Sequence, residues 1–319
     1  MLKEVSGFHS PFFKLYDVIN NGIYAAIVNP GAGGLGNAGF IDLGDNVLVV
    51  DTFLSPRVAE ELNKAIEFTL GKPVKYVVNT HWHADHTNGN QVFQDAIIIS
   101  TKRTRELMIE HNQVGDVQEE KQQLLDYLHK TEEEAAGVTD EKVKQSMLDD
   151  VNDKKIFAED LSIYRFTPPT LTFEDRLEIY GAKRCVELLT FGGGHTESDA
   201  FVYLKDENIA FMADLVLVNS TPFMGAGKPD HWPSILDKVK QLNLNTIIPG
   251  HGQVGSSAAI DLTEHYINFV IDTIRLAKAE GLSADEAVKT DLPEPFNSWE
   301  GVMILEWNIQ MLWDKVNEM

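Results

Sequence analysis

Short runs of apolar residues separated by turn residues dominate the first part of the chain. They extend from Gly22 to Val28 and from Phe40 to Asp51, and Gly44-Asp45-Asn46 supplies a turn within the second run. Runs bounded in this way are typical of strands joined by tight turns. From Pro56 to Leu70 the apolar residues instead recur at helical spacing, and Ser55 precedes them as an N-cap. The pattern predicts antiparallel strands followed by a helix.

The second half of the chain repeats this arrangement of strands followed by a helix. Its helix is predicted from Trp232 to Leu242. The other strands of the chain are predicted at Lys75–Asn79, Asp95–Ser100, Leu171–Tyr180, Cys185–Phe191, Ala200–Leu204, Ile209–Ala213 and Asn245–Pro249. Two β-rich halves with helices outside them indicate an α/β fold, specifically a four-layer αββα sandwich.

Two helical segments lie outside this repeated arrangement. The stretch from Lys102 to about Phe157 is predicted to be a helical insertion that is interrupted near Gly137. Beyond Ser256 the chain has a helical pattern almost to Met319, broken between Leu292 and Trp299 by two prolines. We therefore expect residues 1–255 to form one domain with an insertion at about 102–157. Residues 256–319 should form a C-terminal helical extension packed on the core.

Charge and composition narrow the range of partners. The chain has 319 residues, 43% of them hydrophobic, and 27 Lys and Arg against 49 Asp and Glu give a net charge of −22. The electric field of such a negative net charge repels nucleic acid and anionic membranes, so we expect a small-molecule substrate. The sequence leaves the oligomeric state open. The acidic stretch from Gln118 to Asp160 is interpreted as a solvated helical face without a chemical role.

Location and redox state are inferred from short segments. No run approaches the ~18 apolar residues that a membrane-spanning helix needs, and the N-terminus lacks a cationic segment followed by an apolar one. We expect a cytoplasmic protein. The only cysteine, Cys185, lies in a strand pattern and is expected to be a buried thiol.

Candidate chemistry is concentrated between the strand ending at Asn79 and the segment after Gly89. There the sequence Thr80-His81-Trp82-His83-Ala84-Asp85-His86 places four potential metal ligands within six residues. Histidines two apart in an extended strand point the same way, so His81 and His83 can share one ion. Asp85 and His86 lie where the chain turns and can face a second ion.

Three further candidate ligands each follow a strand pattern. His195 comes after three glycines, Asp214 ends an apolar strand, and His251 stands between two glycines. An uncompensated carboxylate is costly at a core position, which favours a ligand role for Asp214. Taken together with the histidine-rich segment, these residues predict a metal site.

In these residues the chain resembles the metallo-β-lactamase superfamily, with His81 to His86 as its HxHxDH signature. The resemblance covers roughly Gly22 to Gly255 and implies that one ion is held by His81, His83 and His195. It implies a second ion at Asp85, His86 and His251, with Asp214 bridging the two. Asp51 occupies the place of an aspartate that supports the ligand loop rather than binding metal.

A metal-dependent hydrolase is the function that these ligands favour. Nitrogen and oxygen ligands without a thiolate suit two zinc ions and also admit iron, manganese or cobalt. Two cations sharing a water can lower its pKa from about 15.7 to about 7, which provides a bridging hydroxide at neutral pH. By the same resemblance, Asp85 is the catalytic residue that orients the hydroxide or passes a proton to the leaving group.

Several substrate classes remain open. An aspartate rather than a cysteine at position 214 resembles the glyoxalase II, lactonase and esterase branch, so a carboxylic ester, lactone or thioester is preferred. Dedicated β-lactamases that use the cysteine place a lysine three residues later, where this chain has Leu217, and β-lactam hydrolysis is expected at most as a weak side activity. The alternative is an iron-dependent oxidoreductase resembling persulfide dioxygenases, which use one iron.

One motif and one loop need separate interpretation. Gly31 to Gly36 fits GxGxxG, but a strand pattern follows it where a dinucleotide fold needs a helix, so a loop beside the metal cleft is preferred. The loop from Ser220 to Asp230 contains Phe223 and is a candidate wall of the substrate pocket. Trp232, at the following helix start, is interpreted as a packing residue.

Overall fold

A computed structural model describes residues 2–317 as two sheets with helices on their outer faces. The strands are β1 Lys3–Glu4, β2 Phe13–Asp17, β3 Ile23–Val28, β4 Ala38–Asp42, β5 Val47–Val50, β6 Val74–Val78, β7 Ile97–Thr101, β8 Leu171–Phe173, β9 Arg176–Tyr180, β10 Cys185–Gly192, β11 Asp199–Leu204, β12 Ile209–Ala213 and β13 Thr246–Pro249. Strands β1 to β8 form one sheet in sequence order, and the second sheet has the order β13-β12-β11-β10-β9.

Helices occupy the two outer layers, the insertion and the extension. They are α1 Pro56–Thr69, α2 Ala84–Thr87, α3 Lys102–His111, α4 Val117–Gly137, α5 Glu141–Asp160, α6 Trp232–Lys240, α7 Ala258–Ala279, α8 Ala284–Ala287 and α9 Ile304–Leu312. Short 3-10 helices lie at Asn90–Phe93, Phe296–Ser298 and Lys315–Asn317. No described helix is both long and apolar enough to cross a membrane.

Within residues 2–317, three buried clusters fill the spaces between four layers. In β5 the residues alternate between two of them: Leu48 and Val50 face the second sheet, and Val47 and Val49 pack toward α1. This alternation follows from the twofold period of a strand that is buried on both faces. The third cluster joins the second sheet to α6, α7 and α9. The αββα sandwich predicted from the sequence is confirmed.

Some element boundaries differ from the sequence prediction. The run Leu171–Tyr180 is not one strand, because the chain bends at Glu174-Asp175 and passes from the edge of the first sheet to the edge of the second. Strand β2 was not predicted, although Phe13 and Leu15 are buried on either side of exposed Lys14. Cys185 is half-buried rather than buried.

The insertion consists of α3, α4 and α5, which lie between β7 and β8. Besides the break near Gly137, the structure has an earlier one at residues 112–116, where Asp116 caps α4. The expectation that the acidic stretch is simply a solvated face is wrong for Asp150, Asp153 and Asp160, which are buried. Each is compensated: Lys154 pairs with Asp150, backbone N–H groups donate to Asp153, and Arg57 pairs with Asp160.

Candidate metal centre

The seven predicted ligands meet where four strands end. The segment after β6 carries His81, His83, Asp85 and His86, and the other three residues follow strands of the second sheet. His195 lies beyond β10, Asp214 directly after β12 and His251 two residues after β13. The fold therefore brings together side chains that are up to 170 positions apart in sequence.

Four of these side chains form a first group around Asp214. Potential ligand atoms of His81, His83, His195 and Asp214 all lie within 4.8 Å of one another. Nε2 of His195 is 2.9 Å from Nδ1 of His83 and 3.2 Å from Oδ2 of Asp214. Nε2 of His81 lies 4.0 Å from the same oxygen. These atoms could bind one ion.

The second group consists of Asp85, His86 and His251, whose potential ligand atoms also lie within 4.8 Å of one another. Oδ2 of Asp85 is 3.2 Å from Nε2 of His86 and 3.3 Å from Nε2 of His251. Asp214 contacts this group as well, with oxygens 3.3 Å from Nε2 of His86 and 3.2 Å from Nε2 of His251. Its carboxylate thus lies between the two groups.

Buried polar atoms in this cluster are left without partners. Among the described residues, Nε2 of His81, Nε2 of His86 and Oδ1 of Asp214 are buried and accept or donate no hydrogen bond. A buried polar atom without a partner is costly, and native structures rarely tolerate three in one place. Nitrogen and oxygen donors converging in this manner fit divalent cations such as zinc.

Neighbouring groups fix the orientation of three of the histidine rings. Nδ1 of His195 is 2.9 Å from the carbonyl oxygen of Phe223, and Nδ1 of His86 is 3.0 Å from Oδ2 of Asp51. Nδ1 of His81 is 3.1 Å from Oγ1 of Thr80. When Nδ1 donates a hydrogen bond, the lone pair of Nε2 is free to bind a metal ion.

Asp51 lies under the ligand loop. Its carboxylate accepts hydrogen bonds from the backbone N–H of Thr80, at 2.9 Å, and from the hydroxyl of Thr80, at 2.8 Å. The residue adopts a left-handed backbone conformation with φ of 56°, which is uncommon outside glycine. The carboxylate therefore connects the start of the ligand loop to His86.

The histidines of the cluster differ in the direction in which their pKa is shifted. Burial lowers the pKa of His83 to about 3 and also lowers the pKa of His81. Burial opposes protonation of His251 too, but Asp214 and Asp85 outweigh it and raise the pKa to about 10. The histidines in turn hold the pKa of both carboxyl groups below its usual range, against the effect of burial. Two anionic carboxylates thus favour positive charge in this pocket.

Glycines allow the surrounding backbone to approach the cluster. A Cβ atom at Gly250 would lie 1.9 Å from Oδ1 of Asp214, and one at Gly36 would lie 2.6 Å from Nε2 of His86. The loop from Gly31 to Gly36 leads into β4 rather than into a helix, which agrees with the interpretation as a loop beside the cleft. A dinucleotide fold would need a helix there.

Sequence reasoning missed two supporting residues. Asn37 donates hydrogen bonds to the carbonyl oxygens of Pro249 and Gly252, which flank His251. Asp199 accepts hydrogen bonds from the backbone N–H groups of Gly194 and Thr196 on either side of His195. Asp199 directly precedes the apolar run of β11, and a carboxylate in that position was the available signal.

The loop after β12 contributes to the cleft as proposed. Phe223 lines the cleft, and its ring centroid lies 6.1 Å from that of His83. Trp232 is fully buried, and its indole N–H donates to the carbonyl oxygen of Leu215 at 3.0 Å. The packing interpretation of this tryptophan is confirmed.

Comparison with known families agrees with this geometry. The profile described as Metallo-beta-lactamase superfamily matches residues 31–251. The chain belongs to this superfamily. Its members are metal-dependent hydrolases, and the match extends from the glycine loop to the last of the seven candidate ligands.

Individual relatives of this metallo-β-lactamase superfamily protein differ in their descriptions. A metallo-beta-lactamase type 2 from Bacteroides fragilis is 29% identical over 110 residues, which are 33% of this chain and 44% of that protein. A linear primary-alkylsulfatase from a Pseudomonas species is 24% identical over 270 residues, 79% of this chain and 49% of that protein. The matches thus span less than half the length of either relative.

Solved structures share the fold at low identity. A metallo-beta-lactamase from Pontibacter korlensis aligns with a TM-score of 0.55 and 17% identity over 84% of this chain and 99% of that one. The DIM-1 metallo-beta-lactamase aligns with a TM-score of 0.58 and 19% identity over 82% and 99%. At these identities the likeness establishes the fold and no substrate.

Proposed function

We propose that this protein is a dinuclear metal-dependent hydrolase that cleaves a carboxylic ester, lactone or thioester. The observation that carries the proposal is the pair of ligand groups with the Asp214 carboxylate between them. In this proposal one ion is held by His81, His83 and His195. The other is held by Asp85, His86 and His251, and Asp214 contacts both. Zinc is the expected metal because nitrogen and oxygen donors suit it.

The ions would supply Lewis acidity and lower the pKa of a water from about 15.7 toward about 7. The chain's own residues define where substrate can approach. His81 and His86 are fully buried, whereas His83, Asp85 and His251 line a cavity. Of the two candidate carboxylate ligands, Asp85 is the more exposed to this cavity, at 13% against 5% for Asp214. We assign to Asp85 the orientation of the attacking water or proton transfer to the leaving group.

The net charge of the chain and the residues that line the cavity favour an ester that does not carry several negative charges. The net charge of −22 disfavours polyanions such as nucleic acid, and the cavity includes apolar side chains such as Phe223 and Leu217. At the position where β-lactamases with the cysteine ligand carry a lysine, this chain has Leu217, which cannot pair with a substrate carboxylate. Carbonyl substrates of modest size agree best with this combination.

A sulfate ester is the second candidate, because the linear primary-alkylsulfatase relative matches across 79% of this chain. Hydrolysis of such an ester can use the same metal centre and the same nucleophile. The acidic charge of this chain is less favourable to an anionic head group than to a neutral carbonyl. Direct comparison of the two substrate types decides between them.

The test combines metal analysis with a panel of substrates. Two zinc ions per chain are expected, together with chelator-sensitive turnover of an ester, lactone or thioester; alkyl sulfate, β-lactam and phosphodiester substrates complete the panel. His83→Ala and Asp214→Ala should abolish turnover in a folded protein, whereas His265→Ala, on the exposed side of α7, should have no effect. One iron per chain, or turnover that survives in both ligand variants, would contradict the proposal.

A further inference from the structure

A cavity of about 810 Å³ opens onto the candidate metal centre and is bordered in part by two segments outside the sandwich. One wall is the first part of α5, in the insertion. Another wall is formed by residues 298–304 and Trp307 of the C-terminal extension, which lie beyond the region matched by the superfamily profile. The volume is within the range of sites that enclose a small molecule, about 300–1,000 Å³.

The extension wall is held firmly against the rest of the site. The backbone N–H of Thr221 donates to the carbonyl oxygen of Glu300 at 2.9 Å, and the N–H of Glu300 donates to Asn219 at 2.9 Å. Nζ of Lys142, on α5, donates to the carbonyl oxygen of Asn297 at 2.9 Å and so connects the two walls. The cavity is therefore a built feature of the structure, with hydrogen bonds to the loop after β12.

The two walls differ in chemistry. The extension contributes the apolar side chains of Val302, Ile304 and the half-buried Trp307. The α5 wall contributes Asp149, which faces the cavity together with Glu300 of the extension. Among the described residues neither carboxylate forms a salt bridge. Three lysines also line the cavity: Lys154 is paired with Asp150, Lys142 donates to the carbonyl oxygen of Asn297, and Lys14 is exposed on β2. Partial desolvation and the nearby charge of Asp149 raise the pKa of Glu300, although His251 opposes the shift.

We propose that this cavity selects substrates with an uncharged apolar group, which packs on Trp307 while Asp149 and Glu300 reject an anionic end. The inference rests on the proposed function for the position of the scissile bond. The recognition itself uses only the two walls. It follows because each methylene buried on the apolar surface adds to the binding free energy, whereas a carboxylate is repelled by two nearby carboxylates that form no salt bridge.

The first experiment measures binding, so that it does not depend on turnover. Isothermal titration of the purified protein with butanamide and octanamide should show affinity rising by up to about fourfold per methylene. Trp307→Ala should remove most of this increase. The matched control is Trp313→Ala, because Trp313 is also half-buried in the extension but lies outside the cavity; it should keep the increase. Equal affinity for both amides, or equal losses in both variants, would overturn the proposal.

The second experiment tests the charge selection. Octanamide with a terminal carboxylate should bind at least about tenfold more weakly than octanamide itself. The double variant Asp149→Asn with Glu300→Gln should reduce this discrimination, and Asp126→Asn, which removes an exposed carboxylate from α4, should not. Unchanged discrimination in the double variant would contradict the role of these carboxylates. If the amides bind as expected but no ester is hydrolysed, the proposed function fails while the binding site remains.

Discussion

The Asp214 carboxylate is in contact with histidines from three separate segments of the chain. It is nearly fully buried, and its oxygens lie 3.2 to 3.3 Å from nitrogens of His86, His195 and His251. A buried carboxylate is costly unless it is paired or binds a metal. In the protein alone His86 and His251, whose pKa values the neighbouring carboxylates raise, offset this cost, and divalent cations would offset it more completely.

Asp51 provides a direct test of how the ligand loop is supported. Asp51→Asn keeps the size of the side chain but weakens the contacts with His86 and Thr80, so metal affinity should fall by about 10–100-fold. Chelator competition measures this change. Asp45→Asn, in the exposed turn between β4 and β5, is the control and should bind metal normally. Wild-type affinity in Asp51→Asn would show that Asp51 does not support the site.

Gly250 tests the close approach of backbone to ligand. Gly250→Ala would place a Cβ 1.9 Å from Oδ1 of Asp214, so the variant should lose metal and about 1–3 kcal/mol of stability. Gly137→Ala is the control, since nothing lies within 4 Å of its added Cβ. Metal content and denaturant titration measure both effects. Normal metal content in Gly250→Ala would mean that the ligands do not require this geometry.

Residue identity could be predicted for the ligands but not for all of their supports. His81 to His86 carry a dense local pattern, and Asp214 is conspicuous as a charge at the end of an apolar strand. Asn37 and Asp199 act on backbone groups of loops that come close only after folding. No local pattern encodes such contacts, because the partners are defined by the tertiary structure.

At the scale of elements, the contact of α5 with the glycine loop was not predicted from the sequence. Its acidic run resembles a solvated face, yet Asp153 is buried and accepts hydrogen bonds from the backbone N–H groups of Gly31 and Gly33. The glycine loop lies in turn beside His86 through Gly36. Helical spacing predicts where a charge lies on the helix but not which backbone groups will meet it, so this connection could not be predicted.

The contact between Asp153 of α5 and the glycine loop should make the stability of the protein depend on pH. Burial raises the pKa of Asp153 to about 7, so the folded protein keeps this proton at higher pH than the unfolded chain. The resulting stability is present below about pH 4 and is lost as the pH rises through about 7. Asp153→Asn removes this loss, so its Tm relative to wild type should increase between pH 5 and pH 8 by on the order of 2–4 °C.

Thermal unfolding at the two pH values measures this difference. Asp126→Asn, which changes an exposed carboxylate of the same insertion, should show no such dependence on pH. A difference between Asp153→Asn and wild type that stays constant from pH 5 to pH 8 would contradict the raised pKa of Asp153.

At the scale of the whole molecule, the sandwich could be predicted because apolar runs repeat in two halves. The sequence did not predict which of the two sheets each strand joins, or where the chain passes from one sheet to the other. The run Leu171–Tyr180 is divided between both sheets, and Glu174-Asp175 gives little local indication of it. The sheet edge at β1 depends on a strand of two exposed residues, whose position is defined by pairing with β2.

The extension shares its core with the second sheet, which gives a prediction about cooperativity. Tyr266, Ile274 and Leu312 of the extension belong to the same buried cluster as Phe201 and Ile247 of the sheet. A chain ending at residue 256 should therefore expose this cluster and fail to unfold cooperatively. Differential scanning calorimetry of the full chain should show one transition. Two separate transitions, or a stable truncated chain, would contradict the shared core.

The most direct measurement of the central claim is a crystal structure of the purified protein with anomalous scattering data collected at the zinc edge. We predict two anomalous peaks about 3.5–4 Å apart, one on each side of Asp214. One should be coordinated by His81, His83 and His195, and the other by Asp85, His86 and His251. A single peak, or none within reach of these side chains, would contradict the account.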